Sequence, residues 1–357
     1  MKTIHLALFG PGKVGRKLLE QLSNSEEHLK NSSGITVKLI LVADSTHALL
    51  NPNGIKSDWD NGFKKYSKKY SFSEIEEYFK KHEFANLVSI DTTASDDFPH
   101  KYFNLVNAGS HIIAANKVAN TLSSEFYDEL RRELKKNNKN FIYETNVGAG
   151  LPIVETLRTL HLSGEKITRI RGVFSGSLSY IFNTYSKEDK EFSKVLEEAG
   201  ILGYTEPDAR IDLSGKDVGR KLLILARELK LKKEFEEVKI ESLIPTQLNG
   251  NTSLKEFNSR ITELDEHFQG YKSKQLKDEV LRYVGELNVA SGTLEAKLIS
   301  EPKTSVLGQI EGADNIFEIY TESYKDQPLV IRGAGAGAEV TARGVFGDIL
   351  KISERLN

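Results

Sequence analysis

The chain of 357 residues contains no cysteine. Disulfides, thiolate metal sites and a covalent thiol catalyst are thereby excluded, and the composition suits a reducing compartment. Long apolar runs are also missing, since none approaches the roughly 20 residues that span a bilayer. The first apolar run, residues 3–9, is too short for a signal-peptide core followed by a cleavage site. A soluble, cytoplasmic protein is expected. Neither sign of charge is in excess: 49 Lys and Arg face 51 Asp and Glu, for a net charge of −2. That balance lends no support to nucleic-acid or membrane-surface binding. Even the densest basic run, Lys64-Lys65-Tyr66-Ser67-Lys68-Lys69, reads as a solvated face. The eight histidines are scattered without an H-E-x-x-H zinc pattern, and His111 and His161 read as structural. The sequon Asn251-Thr252-Ser253 carries no weight without a secretory signal.

What is present suits a globular enzyme. The chain is 39% hydrophobic, enough for a sizeable core, and its length suggests about two domains. Over the first 145 residues, short apolar runs alternate with helical patterns. The runs fall at 3–9, 35–43, 87–90, 111–114 and 141–143. This alternation predicts an α/β fold with a Rossmann-type, doubly wound parallel sheet. The middle differs: strand patterns at 165–175, 278–300 and 315–332 are interrupted by helical ones at 152–162, 177–185, 214–229 and 253–270. These read as a second, α+β domain. A glycine-rich stretch at 333–337 then leads into a last helix of about 15 residues. The expected domains are 1–149, completed by 336–357, and 150–335.

Gly10-Pro11-Gly12-Lys13-Val14-Gly15 matches G-x-G-x-x-G after a strand and at the opening of a helix, the context that a dinucleotide site requires. Gly10 permits the tight turn, Gly12 lets the backbone approach a pyrophosphate, and Gly15 lets the helix pack close to the sheet. The N–H groups at the helix start, at Lys13 and Val14, then face the anion. Asp44 ends the second apolar run. There a carboxylate accepts hydrogen bonds from the adenosine ribose and repels a 2′-phosphate, which favours NAD over NADP. It lies farther from Gly15 than usual, and the polar stretch 23–34 accounts for the excess as a longer helix or loop. Lys56 stays in view as a phosphate contact, and a helix N-cap is the structural alternative for Asp44.

Further segments carry a family resemblance. They are Ala114-Ala115-Asn116-Lys117; Glu144-Thr145-Asn146-Val147-Gly148-Ala149-Gly150-Leu151-Pro152; Gly172-Val173-Phe174-Ser175-Gly176-Ser177; and, most specific, the run from Gly203-Tyr204-Thr205-Glu206-Pro207-Asp208 through Asp212 to Asp217-Val218-Gly219-Arg220-Lys221. Gly337-Ala338-Glu339-Val340-Thr341 opens the last helix in a similar way. In this order, and over nearly the whole chain, they resemble homoserine dehydrogenase in its short monofunctional form, without an aspartokinase segment or a regulatory domain. The resemblance implies NAD(P)-dependent interconversion of L-aspartate 4-semialdehyde and L-homoserine, and a homodimer.

Hydride transfer to an aldehyde carbon requires a proton for the oxygen, hence a general acid. The resemblance makes Lys221 that acid and Asp217 its catalytic and substrate-binding partner. On spacing alone, Ser214-x-x-Asp217 is also a capping box and Asp217 with Lys221 an ordinary i,i+4 pair. The resemblance further implies Glu206 and Asp212 for the substrate amino group and Ser177 as a substrate hydroxyl contact. It implies Lys117 for substrate carboxylate, coenzyme or proton transfer, and Thr93 and Gly337 on the coenzyme. A monovalent cation, sodium, is implied at the Glu144 side chain and the carbonyls of Val147, Ala149 and Leu151, steadying the segment that joins the domains; a plain glycine-rich bend is the alternative. Aspartate-semialdehyde dehydrogenase is excluded because its chemistry needs a cysteine. Another Rossmann-type amino-acid dehydrogenase, or an inactive NAD(P)-binding sensor, remain the alternatives; a sensor would have no use for both Lys221 and Asp217.

Overall fold

The computed structural model of the chain describes residues 2–249 and 252–356, so Asn251 of the sequon lies outside the described residues. The chain divides into two compact units, Met1–Gly150 with Gly337–Asn357, and Leu151–Ala336.

The first unit is built on a seven-stranded sheet. Its strands are β1 (Lys2–Phe9), β2 (Ile35–Ala43), β3 (His47–Leu50), β4 (Lys68–Lys69), β5 (Leu87–Asp91), β6 (His111–Ala114) and β7 (Phe141–Ile142). The order is β4-β3-β2-β1-β5-β6-β7. Strands β2, β1, β5, β6 and β7 pair in parallel, the Rossmann-type core expected from the alternating pattern. The sheet is not parallel throughout, however. β3 returns antiparallel on β2, and β4 antiparallel on β3. Only three residues separate β2 from β3, far too few for the crossover that a parallel neighbour requires. The polar stretch after the first helix, α1 (Lys13–Asn24), forms a second helix, α2 (Glu26–Ser33), ended by Gly34 in a left-handed conformation.

In α1, Leu18, Leu19 and Leu22 are buried, the stripe that a 3.6-residue period produces. They share one core cluster with Ile4, Leu6 and Leu8 of β1 and with Val345, Ile349 and Ile352 of the last helix, Ala338–Arg355. Burial of each such side chain contributes about 2 kcal/mol. This is why a helix so distant in sequence belongs to the first unit.

The second unit carries a six-stranded sheet of β8 (Ile167–Val173), β9 (Lys239–Ile240), β10 (Glu279–Asn288), β11 (Thr293–Pro302), β12 (Asp314–Thr321) and β13 (Leu329–Ala334), in the order β13-β12-β8-β10-β11-β9. The apolar stretch 278–300 is thus a hairpin, turned through Gly292 at φ +63°, and 315–332 is another. Residues 253–270, expected as one helical stretch, break into helices Leu254–Ser259 and Glu263–Lys272. Two other helices, Gly176–Lys187 and Lys216–Glu228, pack on one face of the sheet. There Gly285 is bare, and a Cβ on it would lie 2.8 Å from the Phe174 ring. Phe174 therefore lies against the sheet, stacked on Phe317 at 4.5 Å, and its carbonyl stands just beyond the end of β8.

Candidate active site

In the first unit, the carboxyl ends of the parallel strands carry the candidate coenzyme residues, where open α/β sheets bind ligands. Gly10 follows β1 at φ +88°, and a Cβ there would lie 2.8 Å from the backbone of Thr92 and Thr93. A Cβ on Gly15 would lie 2.6 Å from the Gly10 carbonyl oxygen. Gly12, by contrast, faces open space, where a Cβ would meet nothing within 4 Å. Gly12 also caps α1 without any side-chain hydrogen bond, and the first turn of α1 has no acidic residue. The N–H groups of Lys13 and Val14 lack intrahelical acceptors by helix geometry. A turn closed by two glycines, with a third leaving room over a helix N-terminus, fits a pyrophosphate.

Thr93 and Lys117 lie beyond the ends of β5 and β6, on the same edge of the sheet as the glycine turn. A residue that the sequence reading passed over organises this edge. Asp91, 1% exposed at the end of β5, accepts from the Tyr102 hydroxyl at 2.6 Å and from the Thr93 N–H at 2.8 Å. Burial pushes its carboxyl up to about 6, against these hydrogen bonds. Asn116 extends the network by donating to Thr93 Oγ1 at 3.3 Å and to the Ser95 carbonyl at 2.8 Å. The signal was a carboxylate closing a short strand that is apolar at Leu87, Val88 and Ile90. Lys117 is half-buried and begins the short 3₁₀ turn Val118–Asn120.

Asp44 has a local task that neither sequence reading foresaw. It caps no helix. Its Oδ1 accepts from the Thr46 N–H at 2.7 Å, the His47 N–H at 2.6 Å and the Thr46 hydroxyl at 3.2 Å, which closes the β2–β3 turn. Burial raises its carboxyl, but the His47 and Thr46 N–H groups outweigh that and hold it below the usual range.

Gly337 precedes the last helix at φ +108°. That helix packs along residues 144–150: a Cβ on Gly344 would lie 3.0 Å from the Ala149 carbonyl oxygen. Gly148 and Ala149 both adopt positive φ, +78° and +52°. The Glu144 carboxylate accepts from Lys351 Nζ at 2.9 Å, and the Glu144 N–H donates to Asp348 Oδ2 at 3.0 Å. Leu151, the first residue of the second unit, accepts from the Ile153 N–H at 2.9 Å. Within the first unit, the Glu144 carboxylate and the Val147 and Ala149 carbonyls are oxygen donors of the kind a hard cation takes, and the Lys351 ammonium already sits on that carboxylate.

The second unit gathers the remaining candidates. Lys221 is 7% exposed on the helix Lys216–Glu228. Its ammonium donates to the Phe174 carbonyl at 2.6 Å and lies 2.7 Å from Asp217 Oδ2. The alternative reading of Ser214-x-x-Asp217 as a capping box does not hold: the helix begins at Lys216 with Gly215, left-handed, as its N-cap. Asp217 is thereby released from the cap and reaches the lysine instead. Ser177 donates to Asp212 Oδ1 at 2.7 Å and meets Ser175 Oγ at 2.9 Å, while Asp212 Oδ2 accepts the Glu206 N–H at 2.9 Å. Burial raises the Asp212 carboxyl, helped by the nearby charges of Glu206 and Asp217 and opposed by the Ser177 and Glu206 hydrogen bonds. Glu206, Asp212, Asp217 and Lys221 thus share one electrostatic neighbourhood, with three acids to one base. Beside it, Tyr180 and Tyr204 stack at 4.4 Å. Asp208 and Arg210 are occupied with each other at 2.6 Å.

Comparison with known proteins agrees over almost the entire chain. Residues 10–144 match the family model described as homoserine dehydrogenase, NAD binding domain, and residues 152–350 the model described as homoserine dehydrogenase. A bifunctional aspartokinase/homoserine dehydrogenase of Zea mays is 40% identical over 99% of this chain, which spans only 39% of that relative's length. A homoserine dehydrogenase of Paracoccidioides brasiliensis is 36% identical and is covered over 99% of its length by the whole of this chain. A crystal structure of a Candida auris protein of unknown function superposes with a TM-score of 0.90 at 33% identity, covering 100% of this chain and 99% of that one.

The turn at Asp44 makes a clean test of coenzyme choice possible. Asp44→Asn keeps an oxygen for the turn and removes only the charge. A ribose-reading role predicts that kcat/KM for NAD falls relative to NADP by roughly 10-fold, one lost charged hydrogen bond, with Tm nearly unchanged. An unaltered ratio removes Asp44 from the coenzyme site.

Proposed function

Because the chain belongs to the homoserine dehydrogenase family, we propose that it catalyses the reversible NAD(P)H-dependent reduction of L-aspartate 4-semialdehyde to L-homoserine. The observation that carries this reading is the Lys221 ammonium, buried and held at 2.6 Å and 2.7 Å by the Phe174 carbonyl and Asp217. The first unit binds the nucleotide at Gly10, Gly12, Lys13, Val14 and Gly15, with Thr93, Lys117 and Gly337 as further contacts and Asp44 on the ribose. When bound, NAD(P)H supplies the hydride for the aldehyde carbon. The second unit binds the amino acid. Glu206, Asp212 and Asp217 surround the substrate ammonium with negative charge, and Ser177, fixed by Asp212, offers its hydroxyl. Lys221 gives its proton to the oxygen as negative charge develops there, and takes it back in homoserine oxidation. Asp217, one helical turn away, sets the direction of the ammonium. Lys117 serves the substrate carboxylate or the coenzyme.

Two further parts of the reading concern stability and assembly. A monovalent cation at the Glu144 carboxylate and the Val147, Ala149 and Leu151 carbonyls steadies residues 144–151, alongside Lys351. A homodimer forms through the second unit. No helix among the described residues is long and apolar enough to cross a membrane, in keeping with a cytoplasmic location.

Lys221→Ala should lower kcat by roughly 10²–10⁴-fold, the range for a lost general acid, while the KM for coenzyme stays near normal. A folded variant with almost full turnover would reduce the lysine and Asp217 to a structural pair. For the cation, Tm should rise on replacing choline chloride with sodium chloride at equal ionic strength; identical melting curves count against the site. Light scattering in dilute solution should give the mass of two chains, and the mass of one excludes the dimer.

A further inference from the structure

Asn315 lies near the start of β12 and is fully buried, at 0% exposure. β12 pairs with β8 in a register that sets Ile316 opposite Val173, which brings Asn315 beside Phe174. The Asn315 Nδ2 donates to the Phe174 carbonyl at 3.0 Å and to the Gly335 carbonyl at 3.3 Å. Phe174 O is also the oxygen that Lys221 Nζ approaches at 2.6 Å. One carbonyl, with its two lone pairs, therefore serves both residues.

The amide sits in a close-fitting place. A Cβ on Gly335 would lie 2.1 Å from Asn315 Cγ, so only bare backbone leaves room for it. Its Oδ1 is buried without a hydrogen-bond partner among the described residues. Reversing the amide would aim this oxygen at two carbonyls, so the donor must face Phe174. An orphaned buried acceptor costs stability, and leucine has the same shape without that cost. A role in packing alone gives no reason for a polar side chain here.

From this geometry we propose that Asn315 is a positioning residue for the reaction: it fixes the Phe174 carbonyl that anchors the Lys221 ammonium. The inference rests on the reading of Lys221 as proton donor. By holding one lone pair, Asn315 fixes the direction of the other, and so the place where Nζ comes to rest. A displacement of about 1 Å in a reacting group is enough to lower a rate on the order of 10²-fold. Charged groups on this side include Asp217, on the lysine's own helix at 2.7 Å from Nζ, and Asp212, whose carboxyl feels the charges of Asp217 and Glu206. β10 contributes Tyr283, whose hydroxyl donates to the Glu241 carbonyl, and Arg158 is paired with Glu228 at the far end of the lysine's helix. β8 and β12 offer the neutral Phe174 carbonyl and Asn315 amide.

The experiment compares Asn315→Leu, Asn315→Asp and Lys221→Ala with the wild type in semialdehyde reduction across pH, with Tm and coenzyme KM measured on each. Asn315→Leu should lose kcat by roughly 10–100-fold with coenzyme KM unchanged and Tm within a few degrees. Asn315→Asp can donate to the carbonyl only when protonated. Its kcat relative to wild type should therefore recover as pH falls, while that of Asn315→Leu should not. Wild-type kcat in both Asn315 variants, or a loss with no recovery in Asn315→Asp at low pH, overturns the proposal. If Asn315→Leu does not fold, the recovery in Asn315→Asp decides alone. An active Lys221→Ala would instead remove the reading of the lysine itself, so the two failures are distinct.

Discussion

The Lys221 ammonium is buried, and a buried charge must find acceptors inside the protein or lose its proton. Its acceptors include a carboxylate from its own helix and a carbonyl from the end of a strand. Much of the second unit is arranged around that requirement. Gly285 is bare so that the Phe174 ring can lie on the sheet, and the ring's position in turn places the Phe174 carbonyl. Gly215 starts the lysine's helix in a left-handed conformation, which frees Asp217 from capping and turns it toward Nζ. Glu206 and Asp217 push the Asp212 carboxyl up, and Asp217 in turn lies 2.7 Å from the Lys221 ammonium.

The first unit handles buried charge in the same manner. Asp91 is held by a tyrosine hydroxyl and a backbone N–H, and it orders the turn beyond β5. On the last helix, burial pushes the Asp348 carboxyl up to about 7; the Lys351 ammonium pulls it down and the Glu144 charge pushes it further up. Asp348 also accepts the Glu144 N–H. The helix thus ties down residues 144–150 through charged groups on one side and through Gly344, pressed against the Ala149 carbonyl, on the other. Buried ionic groups of this kind contribute little net stability compared with apolar packing. Their value lies in fixing one arrangement of a backbone that glycines leave free.

Reading the sequence succeeded where the information is local. The glycine turn after β1 and the helix that it opens follow from local pattern, and both stand as expected. Apolar pattern gave the element type more readily than the place where the chain reverses. The stretch 278–300 reads as strand and is strand on both sides of a turn at residues 289–292, which the pairing locates. The antiparallel edge of β3 and β4 was missed for a related reason, since its turn is held by the side chain of Asp44 rather than by an Asn-Gly or Gly-Gly pair. Ser214 and Asp217 have the spacing of a capping box, and a later helix start cancelled it.

The sequence by itself determined the strongly periodic elements, the glycine turn after β1 and the set of chemically able residues, because these depend on side-chain identity at separations of one or two helical turns. Asp217 and Lys221 were bound to be neighbours on any helix that contains both. Tertiary structure alone decided what else the lysine meets. Phe174 is 47 residues from Lys221, and Asn315 is 141 residues from Phe174. Their meeting depends on the register of β12 on β8 and on the close approach allowed at Gly335. A slip of one residue would turn Asn315 to the opposite face of the sheet. No local pattern encodes that register; it is set by the packing of the whole sheet.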